Sequence, residues 1–439
     1  MNFDLPQGVL EILSCLNAAD FEAYITGGTV RDLVMGQLPY NYTISTNAMP
    51  DEVRTLFKNT INTSANLGIV TVVINGIGYN VSTYRNKHTD ASKGFAAELA
   101  SDLSGRDFTI NAMGWSPESG LIDPFGGCDD IKAGIIRSVE NPEKRFSEDA
   151  VRMLRAIRFS AALGFRIEPQ TEAALKKYAP LIKKAPPERI LGEINKILIS
   201  PNPDYIGKEP CLYLTEYIMP ELNVCFKTPQ RNKYHIYNVG EHIIHAVSET
   251  KKNLILRWAT LLHDIGKPVC MSRDHAGIIH FFGHHRDSAR IAADILSRLR
   301  MDRESTRDIL LLIENHDVRI EPSPPAVKRM LTKVGDKLFL QLLSLQIADN
   351  LAKNQQFFPD KKQKLDEVRR IYETVLADGQ PYQISQLVVN NRDLTKLGFK
   401  AGREIGDTLK ALLGEVIINP SLNTREYLLK RAVELRKKR

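Results

Sequence analysis

Cysteine is scarce in this 439-residue sequence: Cys15, Cys128, Cys211, Cys225 and Cys270 are the only five, and no two form a CxxC pair. An odd, scattered set excludes a disulfide framework and a thiolate zinc site, and fits reduced thiols in the cytosol. No stretch approaches the roughly 18 uninterrupted apolar residues that a membrane helix requires. The opening MNFDLPQGVLEIL has neither the basic start nor the long apolar core of a secretory signal, so a cytoplasmic chain without membrane contact is expected. Fixed-period repeats and low-complexity tracts are missing too, which excludes a solenoid.

What is present is ordinary for a folded protein. Hydrophobic residues make up 43% and charged residues 25%. The length predicts about three domains at roughly 150 residues each. The net charge of +7 is compatible with a polyanionic partner without requiring one.

Up to about residue 140, short β-rich runs at Ala23 to Thr26, Leu67 to Ile74 and Tyr79 to Thr83 alternate with helical patterns. After Asn141-Pro142 the sequence turns to amphipathic helices, beginning with RFSEDAVRMLRAIRFSAALGF, which reads as one long helix, and no further strand is expected. Joints are predicted at Pro201-Asn202-Pro203, Phe226 to Lys233 and Glu321 to Pro325. The expected parts are a head (1–140), a neck (141–232), a His-rich domain (233–355) and a helical tail (356–439).

In the head, Tyr24-Ile25-Thr26-Gly27-Gly28-Thr29-Val30-Arg31-Asp32 leads from a strand through paired glycines into a helix, a turn whose backbone can approach a phosphate closely. Later come RDFTINAM at Arg106 to Met113 and DPFGG at Asp123 to Gly127. In this order the segments resemble class II tRNA nucleotidyltransferases (CCA-adding enzymes) and bacterial poly(A) polymerases. The resemblance implies an α+β fold: a small polymerase-β-like α/β head, followed by an all-helical neck, HD domain and tail. It also implies nucleotide binding by Gly27, Gly28, Arg31, Asp32, Arg106, Asp107 and Asn111. Glu148-Asp149-Ala150-Val151-Arg152-Met153-Leu154-Arg155 matches the family helix in which an Asp and an Arg select CTP or ATP, which adds Asp149, Arg152 and Arg155. A three-residue spacing places Asp149 and Arg152 on one helix face.

The head departs from the family at its metal positions. There the family carries an Asp-x-Asp pair and a third carboxylate, which hold Mg²⁺. This sequence has Asn41, Thr43 and Asn80 instead, and Gly105 stands where an Arg usually precedes Arg106. Asn offers a carbonyl oxygen but no charge, and Mg²⁺ sheds its water reluctantly without carboxylates. An inactive transfer centre without Mg²⁺ is therefore expected.

Nine of the ten histidines lie between His235 and His316. His242, His263-Asp264, His284, His316 and Asp349 follow the order of the HD phosphohydrolase pattern, which they resemble. Imidazole and carboxylate ligands suit Mn, Fe, Ni, Zn or Mg, and six can hold one or two ions that activate water. His263 and Asp264 are the expected catalytic pair, on a helix that ends at Gly266, and His285 is the substitute should His284 fail.

The tail segment Val388 to Phe399 with GREIG at Gly402 to Gly406 extends the family resemblance over nearly the whole chain. It implies a tRNA partner held by its backbone, besides nucleotides. The leading expectation is an HD-type metal-dependent phosphohydrolase on RNA ends or nucleotides. The alternatives are an active CCA-adding enzyme using CTP and ATP, and a non-catalytic RNA-binding protein.

Overall fold

The structure is a computed structural model and describes residues 3–64, 68–84, 98–230, 236–354, 356 and 358–437. It divides into two compact units, Met1–Ile218 and Met219–Arg439. His88, His235 and Leu67 lie outside the described residues.

Unit 1 opens with α1 (Gln7–Ala18), β1 (Ala23–Thr26), α2 (Gly28–Val34), β2 (Thr43–Thr46) and α3 (Pro50–Leu56). Next come β3 (Thr60–Ser64), β4 (Ile69–Ile74), β5 (Ile77–Thr83), α4 (Leu99–Ser104), β6 (Gly114–Ser116), β7 (Gly120–Ile122) and α5 (Gly127–Ala133). The strands form one sheet in the order β3-β4-β5-β2-β1-β6-β7. Within it β2 and β5 run parallel, and the other neighbours are antiparallel.

Strand alternation gives this sheet two different faces. Ile25, Ile44, Val70, Val72 and Val81 turn into a core with Val9, Ile12 and Leu16 of α1 and Val53 of α3. Thr26, Thr43, Ser45, Thr71 and Asn80 occupy the alternate positions and make the opposite face polar. The hairpin between β4 and β5 turns at Asn75-Gly76, both at positive φ, the pairing that matches strand twist.

The head ends with β8 (Ile135–Ile136), and the neck follows with α6 (Pro142–Glu148), α7 (Val151–Leu163), β9 (Arg166–Ile167), α8 (Pro169–Tyr178), α9 (Pro187–Leu198) and α10 (Glu209–Ile218). The single long helix expected here is broken. Asp149 is extended (φ −148°, ψ 103°), and its side chain accepts from the Val151 N–H at 3.1 Å. An Asp side chain that accepts from a backbone N–H two residues on competes with continuation of the helix before it. The expectation of no further strand is corrected as well: β8 pairs with β9, and β10 (Ser272–Arg273) pairs with β11 (Ile279–His280). Two-residue strands are too short to leave an alternating pattern.

Among its described residues, unit 2 has no strand apart from that last pair. Its helices are α11 (Pro220–Phe226), α12 (Val239–Ser248), α13 (Leu254–Leu262), α14 (His284–Arg298), α15 (Arg303–Asn315), α16 (Pro324–Val334), α17 (Asp336–Leu351) and α18 (Phe358–Ala377). The tail adds α19 (Asn391–Lys396), α20 (Arg403–Ile418) and α21 (Arg425–Lys437), packed on Leu394, Phe399, Leu409, Leu412, Val416 and Leu428. Among the described residues no helix is long and apolar enough to cross a membrane.

Candidate nucleotide and metal sites

One end of the polar sheet face is closed by the turn between β1 and α2. Gly27 has φ +71°, a backbone conformation that favours glycine, and a Cβ there would displace Nη1 of Arg106, which lies against the turn. A Cβ on Gly28 would lie 3.5 Å from Nη2 of Arg31. Two guanidinium groups therefore border the turn. Arg31 donates to Asp32 Oδ1 at 2.9 Å and to Asn111 Oδ1 at 2.8 Å. Arg106 donates to Thr26 Oγ1 at 2.9 Å, Ser45 Oγ at 3.2 Å and Asp102 Oδ2 at 2.7 Å.

Asp107 lies behind them, buried, accepting from Asn111 Nδ2 at 3.1 Å and the Phe108 N–H at 2.9 Å, with Arg155 Nη2 at 2.5 Å. Burial would raise its pKa, but Arg155 and the hydrogen bonds outweigh it and hold the carboxyl below the ordinary range. Of the ten residues expected at a nucleotide site, eight (Gly27, Gly28, Arg31, Asp32, Arg106, Asp107, Asn111 and Arg155) form one connected network.

The other two do not meet as expected. Asp149 sits at the helix break and pairs with Arg189 at 2.7 Å, while Arg152 pairs with Glu148 at 2.9 Å and reaches the Gly105 carbonyl at 3.2 Å. Their three-residue spacing counts along a helix that is interrupted at Asp149. Sequence reasoning also missed Arg158 and Phe159. Three guanidinium groups crowd the Phe159 ring, Arg158 at 3.9 Å, Arg31 at 5.2 Å and Arg155 at 5.8 Å from its centroid. The three-residue step from Arg155 to Arg158 along one face of α7 was the available signal.

Asn41, Thr43 and Asn80 gather beside this turn. Thr29 Oγ1, next to Gly28, donates to the Asn41 carbonyl at 3.1 Å and accepts from the Thr43 N–H at 3.0 Å. Thr43 and Asn80 are register partners on β2 and β5, and Asn80 Oδ1 accepts from the Thr71 hydroxyl at 3.0 Å. Asp32, Asp102 and Asp107 are each engaged by a guanidinium. This donor set does not fit Mg²⁺, which favours carboxylate oxygens.

In unit 2 all six expected ligands converge. His242 comes from α12, His284 opens α14, and Asp349 lies on α17. The expectation that His263 and Asp264 lie on a helix is corrected: they follow the end of α13, where the chain turns, and His316 likewise caps α15. Gly266 permits the turn, because a Cβ there would collide with the Ser288 backbone nitrogen of α14. Asp264 is shared: Oδ2 is 3.2 Å from Nε2 of both His242 and His263, and Oδ1 is 3.2 Å from His284 Nε2 and 3.7 Å from His316 Nε2. Asp349 Oδ1 is 3.0 Å from His242 Nε2.

Each ring is aimed by its other nitrogen. Nδ1 of His242, His263, His284 and His316 lies 3.2, 2.7, 2.9 and 2.7 Å from the carbonyls of Ala352, Thr260, Phe281 and Ile313. A carbonyl only accepts, so Nδ1 carries the proton and Nε2 is the lone-pair donor facing the centre. Both oxygens of Asp264 and Nε2 of His263 are buried without an aligned hydrogen bond. The groups His242, His263, Asp264, Asp349 and Asp264, His284, His316 each keep their ligand atoms within 4.8 Å of one another, so the residues fit divalent cations. Burial opposes protonation of His263, yet with no cation bound Asp264 and Asp349 outweigh it and raise its pKa to about 9, so a metal would take Nε2 in exchange for a proton. Lys267 Nζ lies 2.6 Å from Asp264 Oδ2, and Lys353 Nζ lies 2.5 Å from Asp349 Oδ2, two cations the sequence reading did not single out. His285 is half-buried and belongs to neither ligand group, and His245 is exposed, stacked on Tyr237.

Three family models match in succession: the poly A polymerase head domain over residues 23–137, the probable RNA and SrmB-binding site of polymerase A over 164–225, and the HD domain over 233–354. The chain belongs to the class II tRNA nucleotidyltransferase and bacterial poly(A) polymerase family. Within the family it is similar to a CCA-adding enzyme of Ligilactobacillus salivarius, 29% identical over 97% of this chain and 96% of the relative. A CCA-adding enzyme of Leuconostoc mesenteroides is 43% identical, but that alignment spans only 44% of this chain and 51% of the relative. Among solved structures, the Bacillus stearothermophilus CCA-adding enzyme in complex with CTP matches with TM-score 0.75 at 25% identity, covering 98% of both chains. The Thermotoga maritima CCA-adding enzyme complexed with tRNA-CCA shares the fold at TM-score 0.56 and 19% identity.

These relatives overturn the expectation that phosphoester hydrolysis outranks nucleotidyl transfer. Family members aligned over the whole chain, HD-matching region included, are CCA-adding enzymes.

Proposed function

We propose that this chain is a CCA-adding-type tRNA nucleotidyltransferase that takes CTP and ATP to an RNA 3′ end. The observation that carries the reading is the connected network around Gly27-Gly28, in which Arg31, Arg106 and Arg155 bring guanidinium groups to a polar sheet face. Glycine backbone and guanidinium forks suit phosphate oxygens. Asp149 and Arg152 present an acceptor and a donor beside the head for the edge of a base, with Arg189 and Glu148 orienting them.

The RNA surface is read from the neck. Lys176 lies over Tyr213, Lys183 over Tyr217, Lys177 over Tyr178 and Lys208 over Tyr205, at 4.8, 4.9, 5.4 and 3.4 Å. Exposed ammonium groups held on half-buried rings suit an RNA backbone. In the other unit, His242, His263, Asp264, His284, His316 and Asp349 would hold divalent metal of the Mn, Fe, Ni, Zn or Mg class, which would bind their converging lone pairs and tie five helix segments together.

A second reading, nucleotide and tRNA binding with transfer lost or slowed, is favoured by one specific observation: the neutral Asn41, Thr43 and Asn80. Labelled CTP and ATP offered with tRNA lacking its terminal CCA decide between them. Incorporation supports the transferase. Binding of both substrates with no incorporation supports the second reading and refutes the first.

A further inference from the structure

This inference rests on nucleotide binding at the head and concerns what that binding requires. A free nucleoside triphosphate is a multiply charged anion, and a pocket lined by carboxylates repels it until cations intervene. The polar face here is built otherwise. Asn41, Thr43 and Asn80 carry no charge, and the nearby Asp32 and Asp102 are each matched by a guanidinium, Arg31 at 2.6 Å and Arg106 at 2.7 Å. Fixed groups around Gly27-Gly28 thus leave no surplus of negative charge for a cation to cancel.

The neutral residues are also donors. The Thr71 hydroxyl, donating to Asn80 Oδ1 at 3.0 Å, fixes that amide's orientation and leaves Nδ2 as its donor end. Asn41 contributes a second exposed amide and Thr43 a half-exposed hydroxyl. A carboxylate at any of these positions could only accept; an amide or hydroxyl can give a proton directly to a phosphate oxygen. The Thr29 hydroxyl clips Asn41 and Thr43 to the start of α2, so the donors stand beside the glycine turn and its two guanidinium groups.

We propose that the head binds its nucleoside triphosphate without a divalent cation, with amide, hydroxyl and guanidinium donors in the place of metal bridges. The test is calorimetric titration of the full chain with CTP and with ATP in metal-scavenged buffer, without and with excess Mg²⁺ at matched ionic strength. The dissociation constant is expected to differ by less than about threefold between the two conditions. A loss of tenfold or more when Mg²⁺ is omitted, on the order of 1.4 kcal/mol, overturns the proposal while leaving nucleotide binding intact. No binding in either condition refutes the nucleotide site itself. In the variant carrying Asn41→Asp and Thr43→Asp, with folding checked by thermal melting, binding is expected to become Mg²⁺-dependent; if a folded variant remains indifferent to Mg²⁺, neutrality is not the cause and the proposal fails.

Discussion

The Arg155 guanidinium of α7 lies 2.5 Å from the Asp107 carboxylate, so one ion pair joins the neck to the head inside a single compact unit. Asp107 is almost fully buried, whereas Arg155 keeps 37% of its side chain exposed, which screens the pair. Arg155→Ala leaves the carboxylate with Asn111 and the Phe108 N–H alone. A loss of about 1–2 kcal/mol is expected, read as a lower urea midpoint. An unchanged midpoint would show that the pair does not hold the neck in place.

Asp107 also sets an acid limit. Its folded pKa lies below that of an aspartate in the unfolded chain, so its stabilisation is complete above the unfolded value and fades as pH falls through the lower folded value. Urea midpoints measured from neutral pH to about pH 3 should fall more steeply for the native chain than for Asp107→Asn, which has no carboxyl to protonate. Parallel slopes would remove Asp107 from the acid response.

Metal removal tests the histidine centre. Purified protein should contain a divalent ion by elemental analysis, and Asp264→Ala, which removes the shared ligand, should lose it. A site saturated at about 100 times its dissociation constant adds roughly 2.7 kcal/mol of stability. Chelation should therefore lower the melting temperature of the native chain by several degrees and leave that of Asp264→Ala unmoved. Equal responses would mean that the ion binds elsewhere.

If missing charge limits transfer in the head, restoring it should help. The triple variant Asn41→Asp, Thr43→Asp, Asn80→Asp should raise Mg²⁺-dependent incorporation of CTP into tRNA by about tenfold or more. The native chain matching the variant would show that these positions do not govern the rate.

Lysines of the neck mosaic should matter through charge. Replacing Lys176, Lys183 and Lys208 by Ala should weaken tRNA binding and reduce the slope of log affinity against log salt by about one per lysine. A weaker but equally salt-sensitive complex would instead indicate altered folding of α8 and α10.

How far such features could be read from the chain depended on whether they are local. The glycine turn, the β1 run and the six candidate metal ligands are stretches of sequence with their own periodicity or order; the six candidates converge within their own unit. The break at Asp149 was hidden because EDAVRMLRAI keeps helical spacing throughout; where α6 ends, the Val151 N–H donates to the Asp149 carboxylate. Arg189, 40 residues on, meets Asp149 through packing of the neck helices, which no spacing rule encodes. Lys353 was invisible for a different reason: a lysine four residues after Asp349 looks like any exposed helical pair until burial makes it part of the centre. The misplaced emphasis on hydrolysis has the same root. Ligand order is legible locally, but which domain carries the reaction is a property of the whole chain.

The ammonium groups of Lys267 and Lys353 have a consequence for how the protein comes into being. Because each already neutralises one of the two carboxylates, Asp264 and Asp349, the helical domain can leave the ribosome and pack before any ion arrives. Loading then becomes a late exchange of one positive charge for another, and metal starvation would yield an intact, unloaded protein rather than a degraded one.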